Sequence, residues 1–254
     1  MIFTINPRII FIGNSNFGVP SLKKMIKLNY NIVSIITNKE KKIIKHGKKI
    51  FKSEIKKISI KNNIPILYYE DININKIKYL KIDLQIVISF KKLPKKIWEI
   101  PKIGSINLHP SLLPNYRGPS PIQWVIINGE KKTGITTFFI NDKIDQGNII
   151  LQKEIKIKND YNFGSLYKKL SFESSNLIIK TIELVKNKKN IILINKNNIN
   201  KNENKKLKFA PKILKKDRLI NWEDSLINII NKIRGLSPYP CAYTFLKTKK
   251  KNYI

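Results

Sequence analysis

R-I-I-F-I-G-N-S-N-F-G-V-P-S-L-K-K-M-I-K-L-N-Y-N-I-V-S-I-I-T, residues 8–37, decides the fold. Arg8 to Ile12 is a near-continuous apolar run, the pattern of a strand buried on both faces of a parallel sheet. Gly13 to Gly18 turns the chain. Pro20 sits where the first turn of a helix tolerates it, and Ser21 to Leu28 continues that helix. Tyr30 to Thr37 is a second strand, rich in β-branched residues. This strand–turn–helix–strand order predicts an α/β fold with a doubly wound, mostly parallel Rossmann-like sheet. The turn is not a nucleotide fingerprint: G-x-G-x-x-G is absent, and Val19 and Pro20 replace the Lys-Ser/Thr of a phosphate loop.

Outward from this unit, the pattern predicts helix over Phe51–Asn62, a short strand at Pro65–Tyr68 and a weak helix at Ile74–Leu80. Leu84 to Phe90 is the strongest central strand, and Pro94 opens a short helix through Trp98. Gly104 to Leu108 is an apolar run carrying an amide, and it ends at His109 and Pro110. Asn107 and His109 are two apart and so share one face of a strand. Ser111 to Gly118 reads as a rigid loop, Pro121 to Asn128 as a helix, and Thr133 to Ile140 as another strand. A turn from Asn141 to Gly147 then carries Asp142 and Asp145, of which Asp142 reads as the turn residue. Ile149 to Ile157 reads as an outer strand. A long helix from Asn162 to Lys186 has Asn159 and Asp160 before it as capping candidates. Residues 188–208 form a Lys/Asn-rich linker between a first domain, 1–187, and a small C-terminal element, 209–254, which includes a strand from Tyr239 to Leu246.

At 254 residues the chain is long enough to bury a sizeable core. A single cysteine, Cys241, excludes a disulfide framework and a cysteine metal site within one chain. No run has the apolar length to cross a bilayer, and the N-terminus reads as a strand and not as a signal peptide. Lys and Arg number 50 against 17 Asp and Glu, a net charge of +33. Such an excess favours polyanions such as nucleic acid. Heavy use of Lys, Ile and Asn with little Ala is also what A/T-biased coding produces, so function and drift both account for the charge.

Amide, imidazole and carboxylate at strand ends form an acid/base constellation: Asn107, His109 and Asp145. A lone histidine at a strand end is ordinarily a hydrogen-bonded structural residue. Here there are only two histidines, and His46 lies among lysines. An amide inside an apolar strand needs a partner, which points away from a purely structural Asn107. Trp124 reads as core, and Tyr116 and Arg117 as loop packing. No His/Cys/Asp cluster has metal-ligand spacing.

N-L-H-P-S-L-L-P-N-Y-R-G, residues 107–118, resembles the signature of the folate-dependent formyltransferases that use 10-formyl-tetrahydrofolate, most closely those acting on methionyl-tRNA. F-I-G-N-S-N-F-G-V-P-S-L, D-L-Q-I-V-I-S-F-K-K-L-P, N-G-E-K-K-T-G-I-T-T-F-F-I-N-D-K-I-D-Q-G, F-A-P-K-I and I-R-G-L-S-P-Y-P-C-A-Y-T-F extend the resemblance over almost the whole chain. The resemblance implies Asn107, His109 and Asp145 as catalytic residues. Ser111, Leu112, Leu113 and Pro114 fall on its folate loop. Phe90, Lys91, Lys92, Leu93 and Asn141 fall on loops whose backbone holds the pterin. Phe17 falls near a methionyl pocket. Lys45, Lys48 and Lys49 fall on a basic insertion that grips the acceptor end of tRNA. It implies 10-formyl-tetrahydrofolate as formyl donor, no metal, initiator methionyl-tRNA as partner, and a cytoplasmic monomer without a membrane. The sequence departs from the family pattern in the basic insertion, and most of a C-terminal tRNA-binding barrel is not matched. Formylation of a small amine such as glycinamide ribonucleotide, hydrolysis of the donor, and RNA binding without catalysis are the competing readings.

Overall fold

The computed structural model describes residues 6–40, 53–186, 207–247 and 252–253. Strand β1 (Ile9–Gly13) leads through a 3-10 turn at Asn16–Gly18 into helix α1 (Val19–Lys27), which carries a proline in its first turn. Strand β2 (Ile32–Thr37) follows, then helix α2 (Glu54–Lys61), whose N-cap Ser53 accepts from the Lys56 N–H. Next come β3 (Ile66–Tyr68), helix α3 (Ile74–Tyr79), β4 (Leu84–Ile88), the short helix α4 (Lys95–Trp98) and β5 (Gly104–His109). Helix α5 (Pro121–Ile127), β6 (Lys132–Phe139), β7 (Ile149–Lys156) and the 24-residue helix α6 (Phe163–Lys186) complete the larger part.

One sheet of 7 strands runs in the order β3-β2-β1-β4-β5-β6-β7. β3, β2, β1, β4 and β5 run parallel to one another, and β6 runs antiparallel to β5. The central strands are wholly buried because helices cover both faces, the reason their sequences are apolar without alternation. On one face Ile10, Ile12, Ile36 and Val87 pack with Ile77 of α3 and Ile97 of α4. Each such fully buried side chain contributes roughly 1.5–3 kcal/mol relative to exposure. On the other face Phe11 lies against Gly18 and the start of α1. There the hydroxyls of Thr137 on β6 and Thr181 on α6 are 2.8 Å apart, and Tyr30 donates to Glu183 at 2.5 Å.

The chain divides into two compact units. The first comprises Met1–His109, Thr136–Gln152 and Ser171–Glu203; the second comprises Pro110–Ile135, Lys153–Leu170 and Asn204–Ile254. In the second, helix α7 (Leu226–Leu236) packs against α5, and a side chain at Gly235 would collide with Ile127 and the Gln123 carbonyl. That close approach is why glycine stands there.

Three expectations change. The expected strand from Tyr239 to Leu246 is not formed: only Leu246–Lys247 is strand, pairing with Asn252–Tyr253, and Tyr243 makes an isolated bridge to Leu219. Pro238 and Pro240 lack the N–H a ladder needs. The cap before α6 is Asn162, whose side chain accepts from the Ser165 N–H at 2.9 Å while Ser165 Oγ accepts from the Asn162 N–H at 2.9 Å. That reciprocal pair takes the place expected of Asn159 and Asp160. Trp124 is half-buried outside the core, and its indole N–H donates to the Pro211 carbonyl at 2.8 Å. The linker assigned to 188–208 falls almost entirely outside the described residues.

Candidate active site

β5 delivers the imidazole. It alternates, so Asn107 and His109 project to the same face, next to Val87 on β4 and opposite Phe138 and Thr136 on β6. Two residues earlier on that face Ser105 donates to Gln85 at 2.8 Å, a polar pair buried under α4. His109 is 5% exposed. Its Nδ1 lies 3.8 Å from Asp145 Oδ2, longer than a direct hydrogen bond and within ion-pair range. Both side chains are nearly buried, so any charge between them is weakly screened. Asn107 is half-buried.

Asp145 reaches this place because its loop is clamped. Asn141 accepts from the Lys143 N–H at 3.0 Å and donates to the Gln146 carbonyl at 3.1 Å. Asn141, and not Asp142, is therefore the residue that shapes the turn. Asp145 itself sits in the left-handed region at φ 52°, which aspartate tolerates better than most residues. Ser89 does the same at φ 51° and ends β4 before Phe90. Such conformations cluster at functional sites because the surrounding structure holds them there.

The other expected residues divide into four groups. Phe90 is half-buried and meets Tyr69 edge-on at 5.3 Å; Lys91 lies over the Tyr69 ring at 3.8 Å, Lys92 is exposed and Leu93 is buried. The loop after His109 bonds to itself. Ser111, fully buried, donates to the Asn115 carbonyl at 2.8 Å, and the Asn115 N–H donates to the Leu112 carbonyl at 3.1 Å. Leu113 and Pro114 are buried and joined by a cis peptide bond. Phe17 is 2% exposed, with its carbonyl accepting from Ser171, so its ring presents almost no open surface. Lys45, Lys48 and Lys49 lie outside the described residues.

Sequence reasoning passed over Thr136 and Gln152. Thr136 is fully buried directly across from His109, and Gln152 donates to its hydroxyl at 3.0 Å. Their only signal is a polar residue at an inward position of a strand, and strand pairing is needed to see it. Among the described residues no group of three His, Cys, Asp or Glu side chains is placed to hold a metal ion. Among them, too, no helix is long and apolar enough to cross a membrane.

The arrangement offers a half-buried amide donor and a buried imidazole on one face, with a carboxylate behind the imidazole. That set suits an acyl-type transfer, in which an oxyanion forms and a proton must move. The family model described as formyl transferase matches residues 7–182, and that of the formyl transferase C-terminal domain matches residues 212–253. Methionyl-tRNA formyltransferase of Flavobacterium johnsoniae is 44% identical over 248 residues, 96% of this chain and 76% of that protein. The protein of that name from Thermodesulfovibrio yellowstonii is 43% identical over 251 residues, 97% of this chain and 79% of that protein. A crystal structure of a 4-N formyltransferase from Francisella tularensis shares the fold, with a TM-score of 0.71 at 22% identity over 94% of this chain and 92% of that one. Matched through residues 7–182 by the family model and over 96% of its length by a methionyl-tRNA formyltransferase, the chain belongs to the formyl transferase family.

Proposed function

We propose that this chain transfers the formyl group of 10-formyl-tetrahydrofolate to the α-amine of methionyl-tRNA. The observation that carries the reading is identity of 44% along almost the whole chain to a protein named for that reaction. The geometry agrees with it. The donor supplies a formyl group on its bridging nitrogen. The amine of the acceptor attacks the formyl carbon, and the bond from that carbon to the bridging nitrogen then breaks. Asn107, on the same face of the strand as His109, donates from its amide to the oxyanion formed between these events. His109 takes the proton from the attacking amine and delivers it to the departing nitrogen. Asp145, held by the Asn141 clamp, orients the imidazole and opposes its positive charge.

The donor residues are proposed as Ser111 to Pro114, Phe90 to Leu93 and the backbone at Asn141. Self-bonded loops and the apolar side chains Phe90 and Leu93 suit a flat heteroaromatic ring held by main-chain groups. Phe17 is proposed as a wall of the methionyl site, and Lys45, Lys48 and Lys49 as phosphate contacts to tRNA. The test is formylation of methionyl-tRNA by purified protein with 10-formyl-tetrahydrofolate. Formylmethionyl-tRNA accumulates with the natural chain and not with His109→Ala. No product, or equal product from both, overturns the reading.

A further inference from the structure

Between the two matched regions, 7–182 and 212–253, lies a short segment that neither covers: Lys208-Phe209-Ala210-Pro211. It is bonded along its length to the end of the signature loop. The Tyr116 N–H donates to the Lys208 carbonyl at 2.6 Å, and the Lys208 N–H to Asn115 Oδ1 at 3.1 Å. The Ala210 N–H donates to the Arg117 carbonyl at 2.8 Å, and the Ser120 N–H to the Ala210 carbonyl at 3.1 Å. Pro211 takes the Trp124 indole N–H. Ala210 is fully buried, and a side chain at Gly118, φ 122°, would collide with its carbonyl oxygen.

Side chains repeat the connection. Glu130 Oε1 accepts from Tyr116 Oη at 2.6 Å and from Lys208 Nζ at 2.6 Å. Asn128 donates to the same tyrosine oxygen at 3.1 Å. Tyr116 needs this hold: it is a bulky residue at φ 60°, a conformation that persists only where the surroundings over-determine it. Ser111, which starts the loop, is bonded to Asn115, the residue just before Tyr116.

We infer that Lys208–Pro211 is a strap that holds the Asn115–Gly118 turn, and through it the Ser111–Pro114 loop, in the geometry that binds the formyl donor, with Lys208 and Glu130 as positioning residues. The inference rests on the proposed role of Ser111–Pro114 in donor binding. Donor affinity is then set partly by a segment outside the matched catalytic region. The Lys208 ammonium is half exposed, so its ion pair adds little to fold stability. That separates positioning from folding in a test.

The test uses the full chain and titrates 5-formyl-tetrahydrofolate by calorimetry, with steady-state formylation alongside. Lys208→Met weakens binding of this probe about tenfold, the scale of one charge-assisted hydrogen bond. KM for the formyl donor rises by a similar factor, while KM for methionyl-tRNA and the melting temperature stay as in the natural chain. Lys208→Arg restores donor affinity, and Glu130→Gln weakens it as Lys208→Met does. Unchanged probe affinity in Lys208→Met and Glu130→Gln overturns the strap, as does a loss that tracks the melting temperature and is not restored by arginine. Ser111→Gly and Leu112→Ala act as controls on the underlying reading. If they leave probe affinity unchanged, the loop is not the donor site and both ideas fall. If they weaken binding while the strap variants do not, the strap alone falls.

Discussion

His109 and Asp145 are 36 positions apart in sequence and 3.8 Å apart in the fold. If the pair moves the proton, His109→Ala and Asp145→Asn each lower turnover by about two orders of magnitude or more with the fold intact. Circular dichroism beside single-turnover formylation checks this, and near-normal turnover in both variants removes the assignment. Asn107→Ala loses one oxyanion donor, with an expected cost of about a hundred- to thousandfold in kcat. Glu130 supplies a prediction in pH. Burial alone would raise its carboxyl, but the hydrogen bonds from Lys208 and Tyr116 outweigh burial and hold it below the ordinary carboxylate range. A carboxyl depressed in the folded state stabilises the fold above its unfolded value of about 4.3. That contribution disappears as pH falls through the lower folded value. Urea unfolding from about pH 6 down to about pH 3 therefore loses stability only slightly more steeply in the natural chain than in Glu130→Gln, because the Lys208 partner is half exposed and screened by solvent. Parallel curves would show that the carboxylate gains nothing on folding.

At the scale of elements, β5 and the loop behind it carry most of the candidate site, and helices cover the faces of the sheet. α6 illustrates how a local signal and a tertiary one differ. Its buried residues Leu166, Leu170, Leu177, Ile178, Ile182 and Val185 follow helical spacing, so the element was legible from periodicity. Its cap was not. Asn159, Asp160 and Asn162 are all acceptable N-caps, and only the backbone path selects Asn162. Asn162→Ala is expected to cost about 1 kcal/mol in chemical denaturation, whereas Asp160→Ala leaves the midpoint unchanged. The reverse order would return the cap to Asp160.

For the molecule as a whole, the excess of cations decides how it meets RNA. A net charge of +33 makes non-specific attraction to tRNA unavoidable at low salt, so affinity there says little about the basic insertion. The slope of log affinity against log salt is the informative quantity. Replacing Lys45, Lys48 and Lys49 together by alanine is expected to flatten that slope by about two to three, roughly −0.7 to −0.9 per lost phosphate contact. Donor affinity should not follow. Coincident slopes would assign the charge of this stretch to composition.

The sequence by itself determined the doubly wound fold, because apolar strands separated by amphipathic helices have few other ways to bury themselves. It also singled out Asn107 and His109, since polar side chains on one face of an apolar strand have few structural explanations, and it reached Asp145, a turn residue, only through the resemblance. Tertiary structure alone decided how these residues meet. Asp145 approaches His109 because Asn141 closes its loop and a left-handed φ turns the chain there. Thr136 faces His109 only through the register of two antiparallel strands. The expected strand at Tyr239–Leu246 is confined to Leu246 and Lys247, since Pro240 within it and Pro238 just before it have no N–H to give a ladder. The strap at Lys208–Pro211 was invisible for a related reason. Its partners Asn115, Tyr116, Arg117 and Glu130 lie 78 to 93 positions away, and main-chain hydrogen bonds across that separation leave almost no trace in residue type.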